Sequence, residues 1–250
     1  MTASERIRSE RLRADRLLVE RGLFDSRAKA QAAIEAGLVT ANGATVRKAA
    51  EEIARDAELK ASPAHPYVSR GGVKLAAALD HFAIDPQGLV CLDVGASTGG
   101  FTEVLVRRGA RCVHAVDVGK AQLHASLRGR PEIVSLEETD IRMLPASAFA
   151  EPPRLVTIDV SFLSLKQVLP AVTALAAPAA TLVALVKPQF EAGRDRVKKG
   201  VVRDAAVHKS VCDDIAAFTA SLGWRVLGII PSPIAGGDGN AEFLLAATRG

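Results

Sequence analysis

LVCLDVGASTGGFT, Leu89 to Thr102, is the stretch around which the chain is organised. A short apolar run ends in Asp93. Gly95, Gly99 and Gly100 follow, and an apolar helical pattern begins at Phe101. This predicts a buried strand entering a glycine-rich turn at a helix start. Helix N-termini expose unpaired N–H groups, and glycines allow a ligand close to the backbone. A nucleotide-like ligand is expected, with Gly95, Ser97, Thr98, Gly99, Gly100 and Phe101 as contacts.

Outward from this turn, the pattern repeats. Arg111–Val118, Ile133–Leu136, Leu155–Val160 and Thr181–Val186 read as strands. Ser69–Phe82 reads as a loop feeding a helix, and Phe101–Arg108, Leu165–Leu175 and Ala205–Leu222 read as helices. Such alternation predicts an α/β domain with a mostly parallel, Rossmann-like sheet. Trp224–Ile230 and Glu242–Thr248 are joined without a helix, so they should pair antiparallel. Polar residues fall at strand ends, where such sheets bind ligands: Asp93, Asp117, Asp140, Asp159 and Lys187.

The pattern D-V-G-x-x-x-G-G departs from the dinucleotide fingerprint G-x-G-x-x-G. Asp93 just before the turn opposes a pyrophosphate and suits a ligand with positive charge and hydroxyls. S-adenosylmethionine has a sulfonium, an ammonium and a ribose. Asp117 is placed for ribose hydroxyls and Asp140 for an adenine amino edge.

The first 60 residues read as a separate unit. A helix is expected from about Arg8 to Gly22, a second from Asp25 or Ser26 to Gly37, and a hairpin around Asn42-Gly43. Arg27 and Lys29 in the second helix's first turn oppose its dipole. They are either a solvated face or, with Arg13, Arg16 and Arg21, a phosphate-facing surface. The run from Arg13 to Gly43, through Asp15, Ser26-Arg27, Ile34, Gly37 and Asn42-Gly43, resembles the S4-type RNA-binding domain. That resemblance implies two helices presenting basic residues to structured RNA. Pro63 and Pro66 mark a linker, giving expected boundaries of 1–64, 65–68 and 69–250.

Bulk properties bound the rest. The chain has 250 residues, 48% hydrophobic and 24% charged, with a net charge of +4. That mild basicity is compatible with a polyanionic partner. Cys91, Cys112 and Cys212 are isolated, so neither a disulfide framework nor a zinc site is suggested, and no metal is expected. The isolated cysteines fit a reducing cytoplasm, and the N-terminus alternates Arg6, Arg8, Glu10, Arg11 and Arg13 without an apolar core, so no secretory signal is expected. Val168–Val186 lacks charge and is long enough to span a bilayer, but Pro170 and Pro178 favour a helix, a turn and a strand. No stable membrane insertion is expected, and a monomer is favoured.

The chemistry narrows by elimination. After the fourth strand stands Asp159-Val160-Ser161-Phe162, not the N-P-P-Y turn of many amine methylases, and no cysteine for attack on a cytosine ring. An oxygen acceptor remains. A ribose hydroxyl is a weak nucleophile that needs a base or a nearby cation. Lys187 follows a wholly apolar strand, where water is excluded. From Tyr67 onward the chain resembles the FtsJ-like ribose 2′-O-methyltransferases, which use a Lys-Asp-Lys-Glu set. The matching residues are Lys74 in SRGGVKL, Asp159 in TIDVSF, Lys187 in VKPQF and Glu242 in GNAEFLL. An S4-type unit before such a domain is the layout of the TlyA family, also called haemolysin A. The resemblance implies S-adenosylmethionine as cofactor and cytidine 2′-O-methylation of ribosomal RNA, naked or in ribosomal subunits. It implies Lys187 as proton acceptor, Asp159 as its partner, and Lys74 and Glu242 as positioning groups. By type alone, Lys74 also suits a helix surface and Glu242 an edge strand.

Arg70 and the basic segment holding Arg194, Lys198 and Lys199 are further RNA-facing candidates, against the alternative of a solvated loop. Phe101, Phe162 and Phe190 are stacking candidates, with core packing expected for the first two. A cytolysin and a non-catalytic RNA-binding protein are the competing functions. A pore-former would need Val168–Val186 in lipid.

Overall fold

The computed structural model describes residues 10–236 and 239–250. The chain divides into two compact units that meet in sequence at Pro66 and Tyr67. Tyr67 and Val68, expected in the linker, are tied to the second unit: the Val68 N–H donates to Glu103 at 2.5 Å, and Arg107 lies over the Tyr67 ring.

The first unit differs from its expected two helices and a hairpin by three extra strands. Arg11–Arg13 is a strand, β1, where a helix was expected, and the helix α1 spans only Ala14–Glu20. The expected start at Arg8 lies outside the described residues. β1 pairs antiparallel with β4, Glu52–Ala54, bringing Leu12 opposite Ile53. Helix α2, Arg27–Glu35, begins at Ser26, whose hydroxyl accepts the Lys29 N–H. Strands β2, Val39–Ala41, and β3, Ala44–Thr45, form the hairpin, with Asn42 and Gly43 both at positive φ. That is what a two-residue turn of right-handed twist requires. β5, Leu59–Ala61, pairs with the other edge of β2. Leu17, Leu18, Ile34 and Val39 fill the small core.

The second unit is a seven-stranded sheet with helices on both faces. Its strands are β6 Val90–Val94, β7 Cys112–Val116, β8 Ile133–Leu136, β9 Leu155–Ile158, β10 Ala180–Val186, β11 Arg225–Pro231 and β12 Phe243–Arg249. They lie in the order β11-β12-β10-β9-β6-β7-β8. β12 runs antiparallel to both neighbours, and the other pairings are parallel. Alternation along β10 explains the two cores. Leu182, Ala184 and Val186 meet helix α5, Leu165–Leu175, and helix α6, Ala205–Ser221. Val183 and Leu185 meet helix α3, Gly71–His81, and helix α4, Gly100–Arg107. From β6 the chain winds outward through β7 and β8, then returns to β9 on the other side. Ligands bind at the strand ends beside such a reversal.

The apolar stretch 168–186 is divided as its prolines suggest. Helix α5 ends at Leu175, and β10 starts at Ala180 after Pro178. Among the described residues no helix is long and apolar enough to cross a membrane.

Candidate active site

The glycine turn between β6 and α4 forms as expected, and its glycines sit tight against the protein's own atoms. Gly95, at φ +82°, sits where a Cβ would lie 2.5 Å from the Asp159 carbonyl oxygen. At Gly99 a Cβ would strike Leu127 and Leu123, and at Gly100 the Ser69 hydroxyl. The space is filled by the protein itself. Phe101 is buried in the core with Leu75 and Leu105, as the packing alternative held. Thr98 is exposed outside the cavity described below.

Asp93 is also not a cavity residue. It is fully buried and accepts Thr102 Oγ1 at 2.6 Å and Thr157 Oγ1 at 3.0 Å, tying α4 to β9. Burial pushes its carboxyl up to about 7, against the pull of the two threonine hydroxyls. Asp93 therefore braces the turn from beneath and is not among the residues that line the cavity described next.

A cavity of about 400 Å³ opens at the C-terminal ends of β6, β7 and β9. Gly95, Ser97, Asp117, Asp140 and Asp159 line it. Asp117 is oriented by two backbone donors, Ser97 N–H at 2.8 Å and Gly119 N–H at 2.7 Å. Each oxygen keeps a lone pair for a hydroxyl donor. Asp140 caps its own short turn through the Arg142 N–H and takes the Arg142 guanidinium, with Nη2 at 2.6 Å. That pairing holds its carboxyl below the usual range. An incoming amino group would share an oxygen with Arg142 or displace it.

The topology carries the Lys-Asp-Lys-Glu set to one end of the sheet. Val186 pairs with Phe243, so one step further sets Lys187 level with Glu242. Asp159 follows the adjacent strand β9. Lys187 Nζ is 2.6 Å from Asp159 Oδ1, an ion pair without hydrogen-bond alignment, and donates to Ser161 Oγ at 2.9 Å. Lys74, on α3, forms an ion pair with Glu242, and their side chains are 10% and 3% exposed. Neither the helix-surface alternative for Lys74 nor the edge-charge alternative for Glu242 survives this burial.

Several neighbours escaped sequence reasoning. Ser161 is one, since a serine in a turn carries no periodic signal. Asn240 is another. It donates to the Gly200 carbonyl at 3.0 Å and accepts the Val202 N–H at 3.3 Å, stapling the turn at Lys198–Val201 beside the Glu242 segment. Glu191 accepts from Ser164 Oγ and the Leu165 N–H, lacing the loop after β10 to the loop after β9. Phe162 overturns its expected core packing. It is 90% exposed at φ +63°, with Phe190 beside it at a centroid distance of 5.1 Å. Phe162 also lines a second cleft, bounded by Gln189, Phe190 and Val197.

The basic candidates divide. Arg16, Arg70, Lys198 and Lys199 are exposed. Lys29 is instead engaged with Asp25 at 2.9 Å. Arg13 and Arg27 converge on Asp15. The Arg194 side chain lies outside the described residues.

Residues 67–249 match the FtsJ-like methyltransferase family, and residues 12–59 match the S4 domain. The chain is 44% identical, over 90% of its length and 85% of the relative's, to the 16S/23S rRNA (cytidine-2′-O)-methyltransferase TlyA of Mycobacterium tuberculosis. It belongs to the TlyA family of FtsJ-like methyltransferases. Hemolysin A of Brachyspira hyodysenteriae is 37% identical over 89% of this chain and 94% of that one. A solved structure from Streptococcus thermophilus, also carrying a hemolysin name, superposes with a TM-score of 0.77 at 41% identity, covering 96% of this chain and 88% of that chain. The protein is thus a methyltransferase with an S4 unit ahead of its catalytic sheet.

Proposed function

We propose that this methyltransferase uses S-adenosylmethionine to methylate a cytidine ribose 2′-hydroxyl in ribosomal RNA. The observation that carries this reading is the Lys187 amine, held by Asp159 and Ser161, two residues that line a cavity bearing Asp117 and Asp140. The cavity fits the cofactor by size and donor set: two carboxylates for hydroxyl and amino groups, in a volume within the range of small-molecule sites. Bound there, S-adenosylmethionine supplies an electrophilic methyl group.

The chain's own residues would do the rest. Lys187 takes the proton of the 2′-hydroxyl or, as an ammonium, stabilises the developing alkoxide. Asp159 orients the amine and balances its charge. Lys74 and Glu242 neutralise each other next to the reacting ribose and position it. Phe162 and Phe190 offer aromatic faces to an unstacked base. The first unit, up to Pro66, would bind RNA through Arg13, Arg16 and Arg27, and the unit from Tyr67 onward would be the catalytic one. Arg70, Lys198 and Lys199 would add phosphate contacts. Such a substrate would be met in the cytoplasm.

Transfer of tritium from labelled S-adenosylmethionine to 16S and 23S ribosomal RNA, mapped to a nucleotide, tests the reading. Label should appear on a cytidine ribose, and Lys187→Ala should abolish transfer while leaving cofactor binding intact. Near-normal turnover in that variant, or label on a base, would overturn it.

A further inference from the structure

Asp15, in the first turn of α1, has a fully buried side chain beside the core residues Ala14, Leu17 and Leu18. A carboxylate in such a place needs strong partners. Arg13 donates Nε and Nη2 to its two oxygens, at 3.1 Å each. Arg27 donates Nε at 3.1 Å and Nη2 at 2.7 Å to Oδ2, and Gln31 Nε2 reaches the same oxygen at 2.9 Å. The bond from Arg13 leads in holding the carboxyl well below its usual range, with Arg27 and Gln31 adding and burial opposing.

Each arginine spends one edge on Asp15. Among the described residues, the Nη1 group of each takes no protein partner. The side chains remain 41% and 51% exposed, which leaves them within reach of a ligand from solvent. Two guanidinium groups share one carboxylate oxygen, which fixes them side by side with an excess of one positive charge. Other cations of the unit are spent on internal contacts: Arg21 on the Ala57 carbonyl, Lys29 on Asp25, Arg55 on Glu10 and Glu20. A buried ion cluster is weak evidence for stability, since apolar side chains fill such space as well. What it supplies here is orientation.

We propose that Asp15 is a positioning residue for RNA: it locks Arg13 and Arg27 into a two-pronged fork whose free edges take one backbone phosphate. The proposal rests on the RNA-binding reading of the first unit.

The test uses a charge change of the opposite sign to the expected effect. Asp15→Asn makes the protein more positive. Long-range attraction alone would tighten its binding to RNA. If Asp15 positions the fork, binding of the full-length variant to transcribed 23S ribosomal RNA weakens about tenfold, and the salt dependence of binding becomes shallower. Thermal melting of the same variant reports folding. Should it fail to fold, Arg13→Lys and Arg27→Lys answer instead. They keep the charge but lose the two-point bond, so each should weaken RNA binding about as much as the alanine variants. Lysine variants binding like wild type would refute the fork. If Asp15→Asn binds as well as wild type while Arg13→Ala and Arg27→Ala bind poorly, the RNA reading stands and the positioning role falls. If Arg13→Ala, Arg27→Ala and Asp15→Asn all bind normally, the RNA reading itself fails, and the fork with it.

Discussion

Replacing Glu242 with leucine should destabilise the catalytic unit far more than a surface change would. The carboxylate is the ion-pair partner of Lys74, and both side chains are nearly removed from water. Without it, the Lys74 ammonium is left buried and unpaired. Breaking a buried pair on one side costs about 3–5 kcal/mol, because the remaining charge has lost its water without compensation. For a domain of this size that corresponds to a fall in Tm of roughly 6–20 °C. The partner experiment removes both charges, with Lys74→Met and Glu242→Leu together. Apolar side chains of similar volume in place of a buried pair are close to neutral or stabilising, so the double variant should regain most of the loss. Neither variant should transfer methyl groups. Urea unfolding of wild type, both single variants and the double variant completes the thermodynamic cycle. A Glu242→Leu protein within about 1 kcal/mol of wild type, or a double variant no better than the single one, would show that the pair is solvated and that its burial has been misread.

Three other outcomes follow from the site. Ser161→Ala removes one of the groups that orient the Lys187 amine, so kcat should fall about tenfold with S-adenosylmethionine affinity unchanged; an unchanged kcat would show that Asp159 alone suffices. Phe162→Ala should leave the melting temperature alone, the ring being 90% exposed, but weaken productive RNA binding by about 1–3 kcal/mol, read as a raised KM, if the ring stacks on a base. Asp93→Asn tests the buried carboxyl. Its folded value of about 7 lies above the ordinary 3.8. Between these values the unfolded chain gives up the proton first, so this group costs stability as pH rises and is without effect below them. Relative to wild type, the asparagine variant should therefore gain stability from pH 4 to pH 7, by up to about 4 kcal/mol, with parallel pH profiles as the refuting result.

Much of the fold was legible because its signals are local. The apolar runs of β6 and β10, the alternation along β7, the Asn42-Gly43 turn, the Ser26 cap and the helix Leu165–Leu175 each depend on near neighbours in sequence. β1, β4 and β5 were missed because each has three residues, too few for a period to show, and their pairing joins residues about 40 positions apart in the case of Leu12 and Ile53. Phe162 was misjudged for a related reason. Aromatic residues are usually buried, and only the turn after β9, which forces a positive φ on this residue, turns the ring out.

The glycine turn holds the sharpest lesson about sites. Its glycines were read as room for a ligand, yet the space at Gly95, Gly99 and Gly100 is taken by Asp159, Leu127 and Ser69. The carboxyl beneath it, Asp93, is buried and bonded to two threonines. Both belong to the frame that lets β6 and β9 end side by side. The groups that can recognise a ligand, Asp117 and Asp140, lie beyond later strands and are aimed by backbone amides and by Arg142. The Lys187 amine, proposed as the reacting group, is two strands from β6, on the other side of β9. The motif therefore locates the site by locating the reversal in strand order, which fixes where the strand ends converge. Glycine-to-alanine changes in the turn should accordingly act first on folding of the sheet, even at Gly95, which also lines the cavity. A melting temperature unchanged in Gly95→Ala alongside lost cofactor binding would restore the direct-contact view.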